Sequence, residues 1–113
     1  MPQNRKKLID LFIGNLSNVI VHEIMEEATE SEEIASHYKK EVENSLGISR
    51  KYRSKINPTT AILSEKDAEY IKKKLINKVK SKLKERISDG YENIDLNLIE
   101  ELANKYLKES KIS

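Results

Sequence analysis

The sequence predicts an all-α fold, a compact antiparallel bundle of four to five helices forming one domain over residues 1–113. Glycine occurs three times and proline twice, so the residues that punctuate strands and irregular loops are nearly absent. Glu, Lys, Leu, Ile and Asn dominate, and aromatics make up 5% of the chain, which suits helix propensity better than pleated-sheet packing. Apolar residues also recur three and four positions apart over long segments, the period that places them on one side of a helix.

The first element is expected over about 4–28. Leu8, Ile9, Phe12, Ile13, Leu16, Val19, Ile20 and Ile24 share one side, and Leu11, Val21 and Met25 lie on another. A helix apolar on more than one side is either central in its bundle or shared with a second subunit, so a homodimer through this helix is also expected. Gly14 and Asn18, one turn apart, are read as places where another helix approaches closely.

Thr29-Glu30-Ser31-Glu32 has the form of a capping box, in which a hydroxyl and a carboxylate satisfy free backbone N–H groups. A second helix starting there carries the stripe Ile34, Tyr38, Val42 and Leu46 and ends at Gly47, unless residues 4–46 form one long bent helix. Residues 47–63 read as the main break, with Asn57-Pro58 as a turn and Ile56, Ile62 and Leu63 as core anchors. Ser64, followed by Glu65 and Asp67, caps a long helix over about 65–88. Its stripe is Ala68, Ile71, Leu75, Ile76, Val79, Leu83 and Ile87, and Asp89-Gly90 ends it. Asp95 caps a last helix over about 96–109, with Leu96, Ile99, Leu102, Ala103, Tyr106 and Leu107 inward.

The composition removes several chemistries. Without cysteine there is no disulfide, thiolate nucleophile or Cys-ligated zinc, which fits a reducing, cytoplasmic setting. Asp10, Asn15 and Asn18 interrupt the first apolar stretch, so neither a signal peptide nor a membrane span is expected. The three glycines lie more than 30 residues apart, which excludes a glycine-rich phosphate loop, and no serine sits in a nucleophile-elbow context. His22-Glu23-Ile24-Met25-Glu26 has the first half of a zinc-protease motif, with Glu26 where the second histidine should stand. Glu26, Glu30, Glu33 and His37 share one helical side, but they read as a solvated acidic surface. Neither enzyme, metal, cofactor nor small-molecule substrate is expected.

Charge is where the sequence points to function. The net charge is only +2, yet residues 1–47 hold 5 cations against 9 acids, residues 48–86 hold 13 against 4, and residues 87–113 hold 3 against 6. In the basic middle, Arg50-Lys51-Tyr52-Arg53-Ser54-Lys55 reads as a loop leading into the lysine-rich helix. On that helix Lys66, Tyr70, Lys73, Asn77, Lys80 and Lys84 form a ridge opposite the apolar stripe, flanked by Lys74 and Lys78. A row of ammonium groups at helical spacing can follow a phosphate backbone and gain affinity by releasing its counterions. Tyr52 and Tyr70 are then expected to stack on bases. The candidate interface for RNA or DNA is therefore Arg50, Lys51, Tyr52, Arg53, Lys55, Lys66, Tyr70, Lys73, Lys80 and Lys84. The competing readings are a solvated face, one paired internally with the acidic first third of the chain, or a surface for an acidic protein partner. The alternative function is a protein-interaction or homo-oligomeric assembly module with no nucleic-acid role.

Overall fold

The computed structural model describes residues 5–56 and 63–111. They form four helices, α1 (Arg5–Ala28), α2 (Glu32–Ile56), α3 (Glu65–Ser88) and α4 (Leu98–Glu109). Asn57, Pro58 and Ile62 of the expected break lie outside the described residues.

α1 is the centre of the molecule. It packs against α2, α3 and α4, and α3 also meets α4, whereas the backbone of α2 approaches neither α3 nor α4 closely among the described residues. Its two apolar sides are both consumed: Phe12, Leu16, Val19, Ile20 and Ile24 are fully buried, and Leu8, Ile9, Ile13, Val21 and Met25 nearly so. Of its large apolar side chains only Leu11 stays partly exposed, so the excess surface behind the dimer expectation is covered within one chain. α1 is also long and apolar enough to cross a membrane by length and composition, and 61% of its most apolar window is buried inside the bundle.

α1 and α2 form an antiparallel hairpin through residues 29–31. Ser31, two positions later than expected, is the capping residue: its Oγ accepts from Ile34 N at 3.3 Å, while Thr29 Oγ1 accepts from Ser31 N. α2 does not end at Gly47. A helix-interior glycine costs only about 1 kcal/mol, and packing beyond it holds the helix: Ser45, Ser49, Arg53 and Ile56 continue the stripe of Tyr38, Val42 and Leu46 down to its last turn. The expected basic loop 50–55 is thus the end of α2, and Ile34 at the other end stands 49% exposed.

α3 spans the expected 65–88 range. Ser64 Oγ accepts from Asp67 N, and Ile71, Leu75, Val79 and Leu83 are fully buried, while Ile87 is 43% exposed rather than in the stripe. The helix ends in a Schellman motif: Tyr91 N donates to Arg86 O, Gly90 N donates to Ile87 O, and Gly90 takes the left-handed φ of 102° that the motif requires. The Arg86 guanidinium lies 5.6 Å from the Tyr91 ring centroid and supplies the side-chain contact across the motif.

Contacts between α1 and α3 run Arg5 to Asp67, Asp10 to Tyr70 and Asn18 to Lys82, so these helices are parallel. The architecture is therefore one helix ringed by three, and not a serial bundle in which each helix packs on its antiparallel successor. A Cβ on Gly14 would meet only Lys78 Nζ at an ordinary 3.7 Å, so close helix approach does not require that glycine.

α4 begins at Leu98. Asp95 organises the turn before it, its Oδ1 accepting from Asn97 N and its carbonyl from Leu98 N. Ile99, Ala103, Tyr106 and Leu107 are buried, whereas Leu96 is 42% exposed. Tyr106 Oη donates to Glu23 Oε2 at 2.6 Å, and burial beside that carboxylate pushes the phenol far above its ordinary pKa.

Candidate nucleic-acid interface

The apolar stripe that seats α3 on α1 and α4 fixes which of its side chains face outward. Lys66, Lys73, Asn77, Lys80 and Lys84 all lie on the side opposite Ile71, Leu75 and Val79 and are exposed. At 1.5 Å per residue the row from Lys66 to Lys84 runs about 27 Å along one helix. Among the described residues no carboxylate lies within 4.0 Å of any of these four ammonium groups. α2 packs against α1 and makes no close backbone approach to α3 among the described residues, so it leaves the ridge uncovered. The ridge is an open cationic strip.

The remaining candidates do not join it. Arg50, Lys51 and Lys55 are exposed, but on the last two turns of α2, whose backbone does not closely approach α3. Tyr52 is half-buried with the Lys55 ammonium 5.6 Å from its ring centroid. Tyr70 sits at the edge of the ridge, its Oη held by Asp10 Oδ1 at 3.2 Å and one ring face near Lys74 Nζ. Partial burial, with the Asp10 charge, raises its pKa.

Arg53 needs correction as a nucleic-acid contact. It is only 3% exposed, its Nε donates to Ser110 O at 2.6 Å, and its Nη2 donates to Lys111 O. It closes the C-terminus of α4, where Lys111 has a left-handed φ of 61°. Burial lowers its pKa. The guanidinium satisfies carbonyls that the helix end leaves without intrahelical donors.

No protein-family model, curated protein or solved structure matches the chain. Its own residues carry the functional argument.

One cationic residue of α3 turns inward and was not singled out in the sequence. Lys82 Nζ donates to Asn18 Oδ1 at 2.6 Å and to Ser17 Oγ at 3.2 Å. Burial, then the Lys78 and Arg86 charges, holds its pKa below the usual lysine range. Helical arithmetic carries the signal, since position 82 follows the buried Leu75 by seven residues and returns to its side.

Beside Lys82, His22 of α1 stacks on Tyr38 of α2 with ring centroids 5.8 Å apart, and its Nδ1 is buried without a hydrogen-bond partner. Burial first, then Arg86, Lys82 and His37, lowers its pKa, against a raising contribution from Glu41. The folded chain therefore keeps this imidazole neutral at pH values where the unfolded chain, titrating near about 6.5, already binds a proton. Stability is expected to fall as pH drops from about 7.5 through 6.5 toward the lower folded value. Melting temperatures across that range should decline more steeply for the wild type than for His22→Gln, and parallel curves would disprove the effect.

Proposed function

We propose that this chain is a non-enzymatic helical domain that contacts nucleic acid through Lys66, Lys73, Lys80 and Lys84 of α3. The observation that carries the reading is the openness of the ridge: four exposed ammonium groups on one straight element, none paired with a carboxylate among the described residues. Such a row contacts phosphates and reads no base edge, so binding is sequence-tolerant and set by counterion release. Arg50, Lys51 and Lys55 form a separate basic end of α2 that extends contact only along a long or bent nucleic acid.

The test is fluorescence anisotropy on labelled duplex and single-stranded RNA and DNA over a salt series. Four lysine–phosphate contacts on a duplex give a slope of log K against log salt of about −3.6, at about −0.9 per phosphate neutralised. The triple substitution Lys73→Glu, Lys80→Glu and Lys84→Glu is expected to abolish binding while the helical circular-dichroism signal and melting temperature stay close to wild type, because all three side chains are exposed. Unchanged affinity in the triple variant would remove this reading.

A further inference from the structure

The two chain reversals at one end of the molecule carry charge of a single sign. Residues 26–33 contain five glutamates and residues 89–95 contain Asp89, Glu92 and Asp95, with no lysine or arginine in either stretch. The first leads from α1 into α2 and the second links α3 to α4. Between them lies an open cleft of about 480 Å³, walled by Met25, Ile34, Tyr38 and Tyr91 and edged by Glu30 and Glu92. Two of its apolar walls are open to solvent. Ile34 is 49% exposed and Tyr91 is 47% exposed. The cleft lies at the end of the molecule where the backbones of α2 and α3 do not meet. Its far wall is the Schellman turn, where Gly90 takes φ 102° and Asn93 φ 64° and Tyr91 and Glu92 line the cleft.

Ile34 and Tyr91 line this cleft with their apolar surfaces exposed, and a concave apolar pocket with a few polar groups at its edge can take one apolar side chain of a partner. The sign of the rim decides what fits. A nucleic acid or an acidic segment is repelled by Glu30 and Glu92 at the edge and by the other acids of the two turns, whereas a cationic one is attracted to them.

We infer that this cleft docks a cationic peptide segment of a partner protein, one apolar anchor side chain entering between Ile34 and Tyr91 while flanking lysines or arginines meet Glu30 and Glu92. The surface is distinct from the α3 ridge and its occupant is opposite in charge to a nucleic acid, so the two readings stand or fall separately.

The probe is a short synthetic peptide with a Leu-Phe anchor flanked by lysines, together with a twin in which glutamates replace the lysines. Titration of the isotopically labelled chain is expected to shift the resonances of Ile34, Tyr38 and Tyr91 with the lysine peptide and to leave them in place with the glutamate twin. Ile34→Ser and Tyr91→Ser are each expected to weaken binding at least about tenfold, the loss that follows from no longer burying one large apolar side chain. Both residues are exposed, so the buried core is untouched by the changes, and Ile34→Ser in addition leaves the Tyr91–Arg86 contact in place. Glu30→Gln with Glu92→Gln is expected to weaken binding several-fold at low salt and to flatten its salt dependence. Equal binding of the two peptides, shifts confined to other surfaces, or no shift at all would overturn the inference. So would a self-association of the free chain that Ile34→Ser abolishes, because the occupant would then be a second copy.

Discussion

Phe12→Ala is expected to lower the unfolding free energy by about 3–5 kcal/mol, the range for emptying a phenyl-sized space in a close-packed core. Phe12 is fully buried on a helix whose neighbours lie on three sides, so no single element can slide in to fill the space. Domains of this size are stable by about 5–15 kcal/mol, which makes the loss a large fraction of the whole. At about 4 °C per kcal/mol the melting temperature should fall by roughly 12–20 °C. Ile34→Ser, on an exposed apolar residue of α2, provides the contrast, with an expected change within about 0.5 kcal/mol. Thermal and urea denaturation measure both. A drop of only a few degrees for Phe12→Ala would mean that α1 is not enclosed as described.

The second large effect is expected at Arg53. Its replacement by methionine keeps the aliphatic stem but removes charged hydrogen bonds to Ser110 O and Lys111 O, leaving the end of α4 without those donors. Hydrogen bonds from a charged donor contribute about 1.5–3 kcal/mol each, and relief from holding a guanidinium out of water offsets part of that loss. The expected net cost is about 2–3 kcal/mol. Hydrogen exchange should show the loss concentrated in the last turn of α4, with fraying at Tyr106 and Leu107 before the rest of the bundle. Arg53→Lys is expected to rescue little, because one ammonium cannot reproduce the planar fork that reaches two carbonyls. Nucleic-acid affinity, where present, should be unaffected by either change, since the side chain is buried. A fall in affinity without a fall in stability would return Arg53 to the binding surface.

How far the fold could be read from the residues depended on whether the stabilising signal was local. α3 was legible at both ends, because Ser64 and the Asp89-Gly90 turn are local signatures and Ile71, Leu75, Val79 and Leu83 repeat without interruption between them. The outward ridge followed from the same arithmetic, since a helix that fixes its inner side fixes its outer side. α2 was misjudged for the converse reason. Beyond Gly47 its inner stripe consists of Ser49, Arg53 and Ile56, and two of those three do not register as apolar. Their burial depends on small size at Ser49 and on a distant acceptor for Arg53. Tyr70 and Arg53 find their partners 60 and 57 residues away, so no local pattern distinguishes them from solvent-facing members of a basic cluster. Periodicity also assigns sides of helices without assigning neighbours, and the parallel pairing of α1 with α3 was therefore not readable. The apolar end cleft was missed because Ile34 and Tyr91 sit at helix and turn positions where an apolar residue is ordinarily counted as core.

Placing the most apolar helix at the axis has a consequence for biosynthesis. α1 is synthesised before the helices that enclose it, and α2, which follows, covers only part of it. The covering residues Ile71 to Leu83 have not yet emerged at that point. Elongation at about 5–20 residues per second puts the end of α3 roughly 3–12 s behind the end of α1. Throughout that interval a nascent chain displays a sticky hairpin with an unfinished side, the stage at which aggregation competes with folding.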